Sequence, residues 1–208
     1  MAEASRNSDR GSRRFAAEAA YADSIFQQAQ GDVAGAIAAA ELALEHDPTY
    51  APAVLTVGSI EYQRGNDAVG RRLLLSLTAL ADEGDLRVVL DEAGDFLIGE
   101  GRYEDGLEFY RAATARYPDD VALLQGLCCT ADHAGAFELA LAAATSAVRL
   151  EPHRSALRSD LGWSLFRAGR LREAEAELQL ALDLDEDNEL AEENLRVCRD
   201  ALAVEDAG

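Results

Sequence analysis

The sequence predicts an all-α protein of stacked helix-turn-helix units, on three observations. Similar segments recur: "GRYEDGLEFYRAATARYP" opens at Gly101, "GAFELALAAATSAVRLEP" at Gly135 and "GRLREAEAELQLALDLDE" at Gly169, each start 34 residues after the last. "GDVAGAIAAAELALEHDP", from Gly31, has the same layout. A period of this size marks units that each touch only their neighbours. Apolar residues inside the segments follow helical spacing, as Leu124, Leu127 and Ala131 do before Gly135 and Ala140, Ala144 and Ala147 do after it. Glycine breaks each unit midway, and Pro48, Pro118 and Pro152 end three of them. Proline cannot continue a helix and disfavours helical geometry in the residue before it.

Residues 1–16 read as a flexible N-terminal tail. "MAEASRNSDRGSRRF" carries arginines but no apolar run after them, so no secretory leader is expected, and Glu3 and Asp9 count against a transit peptide. Five units follow at 17–50, 51–84, 87–120, 121–154 and 155–188. The second is irregular: Asp82 stands where a proline is expected, and two surplus residues precede the third unit, which predicts a kink or looser junction near 82–86. Residues 189–204 read as a capping helix, with Leu190, Leu195, Val197, Cys198 and Leu202 facing the last unit and Glu192, Glu193, Arg196 and Arg199 in water. A polar outer side is what the end of a stacked array requires. Residues 205–208 are a short tail.

These units resemble the tetratricopeptide repeat (TPR) family, whose pattern is W-x2-L-G-x2-Y in the first helix and A-x3-F, then A and P, in the second. The leucine and small-residue pair is represented by Val57-Gly58, Ala93-Gly94, Leu127-Cys128 and Leu161-Gly162, while the first unit departs with Asp23-Ser24. The first alanine position of the second helix holds Ala36, Gly70, Gly106, Ala140 and Ala174; the later one holds Ala43, Leu77, Ala113, Ala147 and Ala181. No unit has the family tryptophan: Ala20, Val54, Leu90, Leu124 and Arg158 stand there, and Arg158 predicts an atypical local contact. The resemblance implies a right-handed superhelical solenoid of five TPR repeats closed by the C-terminal helix.

The formal net charge is −20, with 39 acidic residues, and all 19 basic residues are arginine. Nucleic-acid binding needs clustered cations, and the one basic stretch is the tail, with Arg6, Arg10, Arg13 and Arg14, so nucleic acid is not an expected partner. No apolar run reaches the roughly 18–20 residues of a membrane span. Acid excess with abundant alanine and no lysine suits a GC-rich genome or a salty cytoplasm. Three cysteines, two of them the adjacent Cys128 and Cys129, cannot make a paired disulfide framework, which points to a reducing cytoplasm. No catalytic set is expected. His46 and His153 neighbour repeat-ending prolines. Cys129 and His133 are four apart on one helix with Asp132 nearby, yet two ligands of unknown direction make no metal site, and no cofactor is expected. Paired acids such as Asp91-Glu92 and Asp119-Asp120 lack calcium-loop order.

The family resemblance implies that first helices line a concave groove. The positions that typically face it carry Tyr21, Ile25, Leu55, Ser59, Tyr62, Asp91, Asp95, Gln125, Cys129, Asp132, His133, Ser159, Trp163, Phe166 and Arg167. Trp163 and Phe166 have a second reading, packing against the capping helix. The clamp by which some members hold an acidic EEVD-like chaperone tail is missing, since its positions carry Tyr21, Ile25, Thr56, Val88 and Asp91. The expected function is therefore a non-catalytic scaffold for a basic and apolar peptide or protein partner, with a self-assembling module as the alternative. Charge repulsion also yields a measurable expectation: screening acts over about 10 Å at 0.1 M salt, so the melting temperature should rise from low salt toward molar potassium chloride. Thermal melts across that series that stay flat or fall would remove the repulsion argument.

Overall fold

A computed structural model describes residues 2–81 and 86–207. Among them are eleven α-helices and no strand. The helices are α1 (Ala2–Ala29), α2 (Val33–His46), α3 (Ala51–Gln63), α4 (Asp67–Leu77), α5 (Leu86–Gly99), α6 (Tyr103–Arg116), α7 (Val121–His133), α8 (Phe137–Leu150), α9 (Ser155–Arg167), α10 (Leu171–Leu184) and α11 (Glu189–Ala207). They make five helix pairs and a terminal helix, grouped in two compact units, Met1–Ala93 and Gly94–Gly208. The expected irregularity at residues 82–85 lies outside the described residues.

Each pair turns at a glycine in the left-handed backbone region: Gly31, Gly65, Gly101, Gly135 and Gly169 have φ between 66° and 80°. Residues with a Cβ rarely adopt that conformation, which is why glycine recurs there. Side-chain caps are used sparingly. Asp32 accepts from the Gly35 N–H, Asp120 from the Leu123 N–H and Asn188 from the Ala191 N–H. Each satisfies one of the donors that a helix start leaves without an intrahelical acceptor.

Helix pairing depends on matched volumes. A Cβ added at Gly58 would lie 2.7 Å from the Leu74 side chain, and one at Gly162 would lie 2.5 Å from Leu178. Tyr110 meets two glycines, since a Cβ at either Gly94 or Gly126 would collide with its ring. Where the first helix carries something larger at this position, Ser24 or Cys128, the matching position of the second helix is Ala40 or Ala144, and all four are buried. The Ser24 hydroxyl donates to the Ala36 carbonyl at 2.7 Å, and the Cys128 Sγ lies 3.3 Å from the Ser164 Oγ. Arg158 fills the missing tryptophan's slot by donating to the Pro152 carbonyl and pairing with Glu177 at 2.6 Å. Gly70 gives room to Tyr62, whose ring a Cβ there would meet at 2.6 Å.

Two expectations at the ends are corrected. Residues 2–16 are not an unstructured tail but the first part of α1. No proline interrupts them, and Arg14 docks the helix: it lies 4.5 Å above the Tyr50 ring, 3.2 Å from Glu18 and 3.4 Å from Asp47. At the other end α11 continues past residue 204 to Ala207. It packs on α9 and α10 through Ala191, Leu195, Cys198 and Leu202, while Leu190 is 60% exposed and does not join them. The Arg199 guanidinium ties α11 to Glu175 and Gln179 of α10, at 2.8 and 3.1 Å.

The Tyr110 contact gives a sharp expectation. Gly126→Ala gains about 1 kcal/mol of helix propensity, but overpacking against a ring that Gly94 also borders costs about 1–3 kcal/mol, toward the upper end. A net loss of about 1–2 kcal/mol is expected in denaturant melts, and adding Tyr110→Leu should recover part of it. Additive effects of the two changes would refute the volume match.

Candidate functional site

In the first compact unit, Tyr21 is half-buried rather than open. Its hydroxyl sits 3.1 Å from the Thr56 Oγ1, and its ring packs edge-on to Tyr50 at 5.4 Å. Ile25 is 55% exposed, and Leu55 and Ser59 are half-buried. Tyr62, expected in the groove, is 3% exposed and belongs to the core, because Gly70 leaves its ring space to turn inward. Asp91 is half-buried and pairs with Arg87 at 3.6 Å along its own helix. A feature without a sequence signal is a cavity of about 80 Å³ bordered by Arg10, Arg14, Thr49, Tyr50, Pro52 and Leu86.

The second unit holds the denser constellation, built by the C-terminal turns of α7 and α9 and the first turns of α6 and α8. Asp132, expected to offer open charge, is 6% exposed. Its Oδ2 accepts from the Trp163 indole N–H at 3.3 Å and from Arg167 at 3.0 Å. Its Oδ1 is buried and has no hydrogen-bond partner among the described residues. Trp163 stacks on Phe166 at 5.1 Å, and both are half-buried. The Arg167 guanidinium lies 4.6 Å from the Phe137 ring centroid and 5.9 Å from that of Trp163. One repeat earlier, His133 stacks on Tyr103 at 3.9 Å. In both α7 and α9 the last residue thus lies over the ring that opens the preceding repeat's second helix. Sequence reading missed Tyr103 and Phe137. Their signal was their shared place 34 residues apart, directly after the turn.

The other expected positions have defined settings. Asp95 is exposed, and Gln125 donates to the Asp160 Oδ2 at 3.0 Å. Ser159 is buried beneath Asn194 of α11, 3.5 Å away. The His133 Nδ1 lies 3.0 Å from the Cys129 carbonyl oxygen and 3.9 Å from the Cys129 Sγ. Among the described residues no three ligating side chains converge on a metal position. Burial pushes the Cys128 thiol up to about 12 and also raises Cys129, so neither is a ready thiolate nucleophile.

Set against known proteins, the tetratricopeptide repeat family profile matches residues 133–193. The chain has the tetratricopeptide repeat fold. Among solved structures, this chain is similar to the first TPR of Spaghetti (RPAP3) bound to the HSP90 peptide SRMEEVD. The two are 25% identical over 56% of this chain and 92% of that one, with a TM-score of 0.52. YrrB, a TPR protein with an unusual peptide-binding site, is 18% identical over 83% and 88%, with a TM-score of 0.60. MamA 41-end from Desulfovibrio magneticus RS-1 is 17% identical over 83% and 97%, with a TM-score of 0.59. The last two likenesses speak for the fold. No curated protein sequence matches this one significantly. Among the described residues no helix is long and apolar enough to cross a membrane.

Asp160 carries a pH consequence. Burial raises its carboxyl above the ordinary 3.8, against the lowering pull of the Gln125 hydrogen bond and of Arg154. The folded chain therefore holds this proton more tightly than the unfolded chain. That contribution to stability is present below 3.8 and is lost as pH rises through the raised folded value. Asp160→Asn keeps an acceptor for Gln125 and removes the buried charge. Its melting temperature at pH 7 should rise by about 2–4 °C per kcal/mol relieved. Melts from pH 3 to 7 check this, and an unchanged or lowered value at pH 7 refutes it.

Proposed function

We propose that this protein is a non-catalytic scaffold that holds a segment of a partner protein carrying arginine or lysine between apolar anchors. The carrying observation is the surface around Trp163: half-buried aromatic rings beside a carboxylate that lacks one hydrogen-bond donor. Half-exposed aromatic side chains offer large contact area at low conformational cost, and residues of this type supply much of the affinity at protein interfaces. The peptide complex of the RPAP3 repeat and the peptide-binding site of YrrB support a peptide ligand in kind. An acidic tail is not the ligand favoured here, given the net charge of −20 and the clamp positions occupied by Tyr21, Ile25, Thr56, Val88 and Asp91. The free Cys128, Cys129 and Cys198 accord with a reducing cytoplasmic setting.

The test is capture of a host partner by the full chain, followed by rate measurements. Trp163→Ala should mainly speed dissociation, by about 30-fold if the ring is worth about 2 kcal/mol. Asp95→Arg should mainly slow association and weaken its salt dependence, because exposed charge steers encounter. A partner that binds both variants as it binds the wild type would place its site elsewhere and overturn the proposal.

A further inference from the structure

Arg167 is held in an unusual way. Its side chain is 35% exposed, and it makes one hydrogen bond, from Nη1 to the Asp132 Oδ2 at 3.0 Å. Its guanidinium also lies over the rings of Phe137 and Trp163. A guanidinium and a carboxylate normally satisfy each other with two parallel hydrogen bonds. Here the pair is half made, and the unused acceptor, Oδ1, is buried without a donor. A buried carboxylate oxygen without a donor is a costly arrangement that native structures rarely leave unexplained. Arg167 is also the last residue of α9, where its exposed side chain has room to leave.

We propose that Arg167 is an internal stand-in for an arginine of another protein, and that this partner's guanidinium takes its seat between Asp132, Trp163 and Phe137 when Arg167 swings out. The inference rests on the scaffold reading above and names the side chain that its cation supplies. The seat has the chemistry of an arginine site: a buried carboxylate with one acceptor still unused and two aromatic rings beside it. Lysine fits it less well, being a point charge that cannot pair with two oxygens at once. Another protein is favoured over a second copy of this chain, because a net charge of −20 opposes self-approach. A partner that must displace Arg167 binds more weakly than the seat alone would allow, by the fraction of time the seat is open.

Trp163 is the chain's one tryptophan, so its emission reports the seat directly. The full-length chain is titrated with N-acetyl-arginine amide while tryptophan fluorescence is followed, with circular dichroism confirming that each variant stays helical. Arg167→Ala should bind this probe at least about tenfold more tightly than wild type, having lost its competitor. Arg167→Met, which keeps an unbranched side chain beside the rings, provides the same comparison if the alanine variant is poorly folded. Adding Asp132→Asn should reverse the gain, and N-acetyl-lysine amide should bind more weakly than the arginine probe. No fluorescence response in folded Arg167 variants, or a response that survives Asp132→Asn, overturns the proposal. A concentration-dependent emission shift in unligated wild type, matched by a doubled mass in sedimentation, would make the occupant a second copy and overturn the assignment to another protein. Probe failure alongside intact partner capture through Trp163 would defeat the arginine seat and leave the scaffold reading standing.

Discussion

How closely the two helices of a repeat approach depends on one pair of facing positions, and the volumes at those positions trade against each other. Gly58 receives Leu74, Gly162 receives Leu178, and Tyr110 fills the space left by both Gly94 and Gly126. Ser24 and Cys128 go with alanine instead. Interiors pack at crystal-like density, so the sum at each position matters more than either residue. The candidate site depends on a second approach, between the first helices of neighbouring repeats. Asp132 can be buried under Trp163 and Arg167 because α7 and α9 lie against each other. The same closeness buries the Cys128 thiol and makes it a packing group with a strongly raised ionisation point.

The repeat architecture was legible because its punctuation has few substitutes. A left-handed turn requires glycine, and five of them at a near-constant interval announce five helix pairs. The groove was less legible. Family positions describe where a side chain starts, but its neighbours decide where it goes. Tyr62 turns inward because Gly70 leaves a space, and Asp132 is covered because its neighbours from the next repeat are a tryptophan and an arginine. Residues 2–16 showed no helical apolar stripe. Arg14 docks this helix by reaching Tyr50 and Asp47, a contact more than thirty positions away that no local pattern encodes. Tyr103 and Phe137 escaped notice for the same reason, since each has its role only through a side chain one repeat onward.

The exclusive use of arginine has a structural counterpart. Arg14 lies over Tyr50, Arg116 over Tyr117 and Arg167 over Phe137, a geometry that suits a flat delocalised cation better than an ammonium. Many others are spent on the surface, as in Arg154 with Glu151 and Arg64 with Glu61. Such exposed pairs contribute little stability each. Their collective effect is to offset part of a large acid excess.

Volume matching within each helix pair also bears on how the chain finds its own alignment. A polypeptide that repeats itself can, while folding, pair a helix with the wrong copy of its partner one unit along, and identical units would make that mistake free of penalty. Here a first helix bearing Gly94, offered the second helix that carries Ala144, would leave a void the size of a tyrosine ring. Cys128, offered Tyr110, would have no room at all. The differences between the third and fourth repeats therefore act as keys, each of these two second helices fitting its own first helix and mismatching its neighbour's, which disfavours a slip of one unit there.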